Sequence, residues 1–574
     1  MERPIAARMT FLEWLTLERA AYGGLLLFAG LWRVFQLGLY PLRPDEAHQA
    51  LTAWEAAQGQ PVTLWGLSPL LFTLQELTFI FMQAGDAAAR LGPALAGLAI
   101  CLIPYALRSR LGREEALIAA GFLALSPTLT YFSRYASGDV MAAMFALAAL
   151  AAGLAAVEDR RWLSWVGVSL ALALLSGPGA YTALLAGILC FGFWIWDFGF
   201  RASELGGRKL GIGRGWLAGG LVFLLGATAG LRHWDGVGAA AGLLGAWAAR
   251  WSHPELEYPI YWPLLRLILD EPLLLVFGMY GAIVGVRQGD GLSRTLTLWA
   301  GLAVLLPTLT PGRQPEDLVI AIPPLALLAG QGATSFLHCL DFGPARLEVA
   351  AFLAVMGVLL VTLYVWVSGY SLWGTAQYVI AMLAPLGLMT GLALFYGVWV
   401  GWRVTGQAVA LFGSAVGLLW TLSAGWINAH GVDLNRRPAV QWEMTSEEVR
   451  MLAGQVQRLS TQRVGDPHLL PVEIVDTPQA PVLRWYLRDI ADLRIIGAPL
   501  RGEAAPVVIT PFTAEWAPGE QYRGQDFLVT ERWTPIGLHG RELVRWLLLR
   551  QGLTLAEQHR AILWVEESNE VLGQ

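Results

Sequence analysis

Hydrophobic residues in this chain run in long unbroken stretches instead of alternating with polar ones. Stretches of about 17–25 apolar residues have the length of a membrane-spanning helix. They centre near residues 30, 98, 123, 148, 169, 189, 222, 278, 302, 327, 357, 388 and 416. The pattern predicts about thirteen spans. Ahead of the first, Met1 to Ala20 mixes Arg3, Arg8, Glu13, Glu18 and Arg19 with Phe11, Leu12, Trp14, Leu15 and Leu17, the pattern of an amphipathic helix lying in the membrane interface. A cleavable signal peptide is not expected, because the following apolar run is long and no small-residue cleavage site precedes it.

From about His430 onward charge rises and the pattern breaks into short elements. Thr445 followed by Glu448 reads as a capping box opening a helix through Val449, Leu452 and Val456. Strands are expected at Val472–Val475, Arg494–Ile496, Val507–Ile509, Phe527–Val529 and Ala561–Val565, with a helix at Leu543–Leu549. The expected organisation is a membrane domain over 1–430, with a long outer loop at 40–88, followed by a small α/β domain over 431–574. Neither a GxGxxG nor a P-loop nor a metal-ligand spacing occurs in the second domain.

Composition narrows the class further. Apolar types make up 55% of the 574 residues and charged types 14%, against about 25% charged in soluble proteins. Mean hydropathy is +0.51. These values exclude a soluble multidomain enzyme and a disordered protein, and a net charge of -5 offers no basic stripe for nucleic acid. Lys209 is the sole lysine, so Schiff-base chemistry has almost no candidate. Cys101, Cys190 and Cys339 lie in apolar runs, which argues against disulfides and thiolate metal clusters.

Basic residues set the orientation. An inner N-terminus puts Arg108, Arg110, Arg113, Arg160, Arg161, Arg201, Arg208, Lys209, Arg214, Arg287, Arg294, Arg346 and Arg403 in cytoplasmic loops. Fewer fall outside: Arg43, Arg90, Arg134, Arg232, Arg250, Arg266 and Arg313. An odd number of spans then sends the C-terminal domain to the outer face.

Two outer stretches carry candidate chemistry. Tyr40-Pro-Leu-Arg-Pro-Asp-Glu-Ala-His-Gln49 places Asp45, Glu46 and His48 together, between prolines that stop the first span and at the start of a helix, where a carboxylate is favoured. The common role of such an acid is a helix cap or a solvated loop residue. Tyr131-Phe-Ser-Arg-Tyr-Ala-Ser-Gly-Asp139 puts Arg134 and Asp139 at the membrane boundary, where ionisable groups are costly unless paired or facing water. An Arg134–Asp139 ion pair is the structural alternative there.

With Asp86-Ala-Ala-Ala-Arg90, Arg108–Arg113 and Ser126-Pro127, these motifs resemble the GT-C superfamily of integral-membrane glycosyltransferases, in particular its protein O-mannosyltransferase and aminoarabinose-transferase branch. Asp45-Glu46-Ala47-His48 and Trp485-Tyr486-Leu487-Arg488-Asp489 are most similar to the prokaryotic "flippase activity-associated" family. The resemblance covers nearly the whole chain. It implies a GT-C-like all-α membrane domain and a lipid-linked donor, a polyprenyl-phosphate monosaccharide, bound in the outer half of the bilayer. It also implies that Asp45 is the general base and Asp139 the second acid. Two departures weaken a detailed transfer of phosphate contacts. Ser176-Gly177-Pro178 stands where a branch of the family has a lysine before Gly-Pro, and Gly312-Arg313-Gln314-Pro315-Glu316-Asp317 has acids where an aromatic is common.

The chemistry leads to the same place. With no nucleotide-sugar fold in any loop, a transferase here needs a donor already in the membrane. Inverting displacement needs a carboxylate to take the acceptor proton and a cation for the departing phosphate, for which arginine is suited. Asp45 is thus expected as base, Arg134 as first phosphate ligand and Arg313 as second. Glu46 and Asp139 would orient the base, the acceptor or a divalent ion, and His48 would be a hydrogen-bonding partner on the donor side. An interfacial anchor beside Asp317 is the plain alternative for Arg313. No cofactor is required, although Asp45, Glu46 and His48 are ligand types that a divalent metal accepts. Of the outer tryptophans Trp65, Trp234, Trp251, Trp262 and Trp373, most are expected in the interface belt and one or two against a sugar.

Expected partners are the polyprenyl-phosphate sugar, a glycan, lipid or protein acceptor and membrane lipids, with no nucleic acid; the expected location is a prokaryotic plasma membrane. Two other functions fit less of the sequence. A non-catalytic subunit assisting lipid-linked saccharide translocation has no need of Asp45 and Asp139. A secondary transporter would show internal repeats, and none is seen; Gly177-Pro178-Gly179 reads equally as a turn between spans.

Overall fold

The computed structural model describes residues 16–197, 212–252, 258–430, 442–497, 504–512, 521–552, 554 and 556–567. Most of the expected interfacial helix at Met1–Ala20, the basic residues Arg201, Arg208 and Lys209, and the domain junction after His430 lie outside the described residues. Among those described, seven helices are long and apolar enough to cross a membrane, or nine if each of two bent pairs is one span. Expected centres near 169, 189 and 222 fall on helices Leu163–Ser176, Gly179–Asp197 and Ile212–Ala227.

The two breaks have local causes. Arg113–Leu125 and Pro127–Ser133 meet at 57°, and Trp262–Asp270 and Pro272–Gln288 at 102°. Each second helix begins with proline, which cannot donate to the preceding turn. The broken ends are tied to each other, because the buried Glu271 accepts from Ser126 Oγ and from Thr128 N.

Burial runs opposite ways in different helices. Segment Pro315–Cys339 is almost wholly enclosed, and it packs on Pro272–Gln288 through glycine. A Cβ on Gly281 would lie 1.9 Å from Leu328 O, and one on Gly332 would lie 2.2 Å from Phe277 O. Such backbone contact is how helices associate where lipid removes the hydrophobic driving force between them. By contrast Arg346–Trp373, Ala376–Trp399 and Trp402–His430 present Val358, Leu383, Phe395, Val398 and Leu419 outward. Apolar surface on that scale calls for lipid as solvent.

The C-terminal region is a six-stranded mixed sheet, built from β1 (Glu443–Thr445), β2 (Val472–Val475), β3 (Leu493–Ile496), β4 (Val507–Pro511), β5 (Tyr522–Arg532) and β6 (Glu557–Glu566). The spatial order is β1-β5-β6-β4-β2-β3, with β2 parallel to β3 and β4 and the other pairs antiparallel. Helices Glu448–Val464 and Ala480–Leu487 supply Val449, Leu452, Val456 and Trp485 to a core with Val472, Ile474 and Ile509. All five expected strands and the Leu543–Leu549 helix occur, several of them longer than expected. Two elements escape the pattern: β1 has only three residues, and Ala480–Leu487 hides behind its own proline. The expected capping box does not form: the residue before the helix is Glu447, which makes no side-chain cap bond. Ser446 Oγ accepts from Glu448 N at 3.2 Å, whereas Thr445 ends β1 and Glu448 instead accepts from Leu528 N.

Candidate active site

Helix Pro44–Ala57 begins with proline, so its first turn needs no donor there. That turn gives its two adjacent acids opposite surroundings. Glu46 is 1% exposed and saturated with hydrogen bonds. Its Oε1 accepts from Arg90 Nε at 2.8 Å and Ala136 N at 2.7 Å, while Oε2 accepts from Arg90 Nη2 at 2.7 Å and Arg43 N at 3.0 Å. Arg90 spends its other N–H groups on the carbonyls of Leu37, Tyr40 and Pro41. Glu46 therefore ties the segment after helix Leu17–Val34 to helix Asp86–Ala99 and to the turn before Asp139.

Asp45, one residue earlier, has 60% of its side chain exposed. Tyr135 donates its hydroxyl to Asp45 Oδ2, and Arg43 Nε lies 3.6 Å from Oδ1. Burial, reinforced by Asp45 and Glu46 against Arg43, holds the Tyr135 phenol well above its ordinary range and keeps it a donor. Burial opposes the charge of Arg43, but Tyr135 and Asp45 outweigh it and raise that pKa.

Asp45 lines a cavity of about 250 Å³ together with Asp139, Glu316 and Glu443, against two arginines, Arg43 and Arg532. Asp139 starts helix Asp139–Ala156, wedged beside the Gly177-Pro178-Gly179 turn. A Cβ on Gly138 would lie 1.5 Å from Ser176 O, so glycine is required for that approach. No Arg134–Asp139 pair forms. Arg250 holds the third wall, bonding Asp317 at 2.7 Å and Glu316 at 3.4 Å.

A smaller chamber of about 60 Å³ adjoins the first and shares Arg43, Tyr131 and Tyr135 with it. Its polarity is reversed, with Arg43, Arg90 and Arg134 around Glu46. Arg134 also closes the end of helix Leu17–Val34, donating to the carbonyls of Arg33 (3.0 Å), Phe35 (2.7 Å) and Gln36 (2.9 Å). Burial, with Arg90 nearby, pushes its pKa down to about 10, still charged near neutrality. Two further groups line this chamber. Asn428 is 2% exposed with neither amide atom hydrogen-bonded, and Thr445 Oγ1 likewise lacks a partner.

The remaining expected residues lie apart. Arg313 donates to the carbonyl of Tyr258, a cavity residue, and its buried Nε has no partner; the neighbour of Asp317 is Arg250. His48 is exposed and lines neither cavity. Burial and Arg484 lower its pKa. Asp45, Glu46 and His48 thus do not converge, and among the described residues no group of three or more His, Cys, Asp or Glu is placed to hold a metal.

Several site residues were not anticipated. Arg43 lies between the two loop prolines, and Tyr131 and Tyr135 flank Arg134 at helical spacing, a signal that was legible. Trp442, Glu443 and Arg532 come from the C-terminal region and had none. The motif Trp485-Tyr486-Leu487-Arg488-Asp489 is a docking element. Asp86 accepts from Trp485 Nε1 at 2.7 Å, Tyr486 OH at 2.8 Å and Arg450 Nη2 at 2.6 Å. Tyr486 OH accepts in turn from Leu42 N at 2.9 Å, beside Arg43.

This is a multi-pass membrane protein with a GT-C glycosyltransferase fold and a polar site formed by its loops. Residues 67–205, which include Arg90, Arg134 and Asp139, match the family model described as dolichyl-phosphate-mannose-protein mannosyltransferase. The fold is similar to that of ArnT from Cupriavidus metallidurans bound to undecaprenyl phosphate, with 15% identity, 97% of this chain and 98% of that chain covered, and a TM-score of 0.57. For the apo state of that protein the values are 15%, 95%, 98% and 0.54. AglB from Archaeoglobus fulgidus, in complex with an inhibitory peptide and a dolichol-phosphate, gives 11%, 87%, 70% and 0.49. No curated protein matches the sequence.

Proposed function

We propose that this protein moves a sugar from a polyprenyl-phosphate-linked donor to an acceptor hydroxyl by inverting displacement at the outer face of a prokaryotic plasma membrane. The observation that carries this reading is the pair of adjoining cavities, one acidic and one basic. Asp45 takes the proton of the acceptor hydroxyl as the acceptor oxygen bonds to the anomeric carbon. The bond from that carbon to the phosphate oxygen breaks, and polyprenyl phosphate leaves with one more negative charge than it carried in the donor. Tyr135 and Arg43 hold the Asp45 oxygens in direction, while its exposure leaves room for the acceptor.

The growing charge on phosphate is stabilised in the basic chamber by Arg134 and Arg43, with Arg313 beyond Tyr258 as a further cation. Preformed charges of this kind act without reorganisation. Asp139 orients the acceptor across the cavity, and Glu46 acts through position alone. About thirteen spans, an inner N-terminus and a boundary near residue 430 put the C-terminal domain over the site from outside. The acceptor is a glycan, lipid or protein hydroxyl.

Mass spectrometry of lipids co-purified with the wild type and with Arg134→Ala tests this reading. A polyprenyl phosphate or its glycoside retained by the wild type and lost by the variant is expected. If neither preparation retains such a lipid, even after it is added back, a non-catalytic role in saccharide assembly becomes the better reading.

A further inference from the structure

The acidic cavity is also lined by aromatic rings, Tyr131, Phe132 and Tyr135 from the membrane domain and a second group around Trp442. Trp442 and Tyr258 both line it, with ring centroids 4.1 Å apart. Trp262 braces the pair from outside the lining, 4.9 Å from Trp442 and inclined at 69° to it. All three rings are buried, and Trp442 is 5% exposed with its indole Nε1–H unpartnered. A buried indole N–H ordinarily finds an acceptor. The ring lines a cavity whose other residues include Asp45, Asp139, Ser137 and Glu316. The cavity thus joins aromatic surface to an array of hydrogen-bond acceptors.

A monosaccharide has the complementary make-up. Its C–H face packs on aromatic carbon, and the hydroxyls around its rim donate to carboxylates and accept from N–H. A bare phosphate or a polyprenyl tail matches only one half of these walls. We propose that Trp442, supplied by the C-terminal domain, is the sugar-binding wall of the site and, with Tyr258, holds the donor's sugar ring. The C-terminal domain is then part of the donor subsite and a determinant of sugar preference. This inference rests on the lipid-linked donor reading above and adds the sugar subsite to it.

Binding of undecaprenyl phosphate, undecaprenyl-phosphate mannose and undecaprenyl-phosphate glucose to the full-length protein in nanodiscs separates the two. The wild type is expected to bind at least one glycoside more tightly than the plain phosphate. Trp442→Ala should weaken that glycoside by about tenfold, the scale of a lost aromatic wall, and leave the plain phosphate unchanged. Trp442→Phe keeps the apolar surface and should lose only a fewfold. Unchanged phosphate binding serves as the folding control. A glycoside bound no better than the phosphate, or a Trp442→Ala variant that weakens both ligands equally or neither, overturns the sugar wall alone. A wild type that binds none of the three overturns the donor reading together with it.

Discussion

Glu46 and Arg90 form a two-point ion pair, Nε to Oε1 at 2.8 Å and Nη2 to Oε2 at 2.7 Å, with both side chains buried. Its neighbour Asp45 makes no comparable pair. The two acids should therefore respond to neutralisation in opposite ways. Removing one member of a buried pair costs about 3–5 kcal/mol because the other is left uncompensated. Glu46→Gln is expected to lower thermal stability on that scale. Asp45→Asn, at an exposed position, should stay within about 0.5 kcal/mol of wild type. Thermal unfolding of the two variants side by side checks this, and equal losses would contradict the division of roles.

Activity should divide the other way. A general base contributes ~10²–10⁴-fold, so Asp45→Asn should lose at least a hundredfold in sugar transfer with little change in donor affinity. A loss below about tenfold would remove Asp45 from the chemistry. Asp139→Asn, placed across the cavity, should cost less in kcat and more in acceptor KM.

Asn428 faces the basic chamber with its amide unpaired. Asn428→Asp is nearly isosteric and brings a negative charge to the proposed phosphate site, so affinity for undecaprenyl phosphate should fall at least tenfold. Asn428→Ala should fall less. Isothermal titration of both variants against the lipid decides, and unchanged affinity in Asn428→Asp would place the phosphate elsewhere.

Asp86 joins the two regions through three donors. Hydrogen bonds to a charged group are worth about 1.5–3 kcal/mol each, so Asp86→Ala should loosen the C-terminal domain. Hydrogen exchange should then rise in Gly38–Arg43 and in the helix carrying Trp485 and Tyr486. Transfer should fall as well, because Tyr486 holds Leu42 beside Arg43. Exchange confined to the C-terminal region would show that the dock does not reach the site.

At Gly138 even a methyl group has no room against the Ser176 carbonyl. Gly138→Ala is expected to force the turn before Asp139 away from the Gly177-Pro178-Gly179 turn and to abolish transfer, whereas Gly153→Ala, in an open position of the same helix, should be silent. Both variants are read by expression level and transfer rate.

The membrane class was legible in the sequence because lipid imposes a one-dimensional rule: an apolar run long enough to cross satisfies its own backbone. Alternation and turn residues likewise exposed five of the six strands. Asp45 at a proline-led helix start was also local information. Which of two adjacent carboxylates stays open was not local, since Glu46 is closed by Arg90 and Ala136 from distant segments. The sequence predicts Arg134 as a cation for phosphate, yet the carbonyls at the end of helix Leu17–Val34 also claim it. Trp442 reaches the cavity only because β1 pairs with β5 at the edge of the sheet. Apolar burial follows the order of residues along the chain, whereas hydrogen-bond saturation and charge pairing follow distances through space, and those only the tertiary structure fixes.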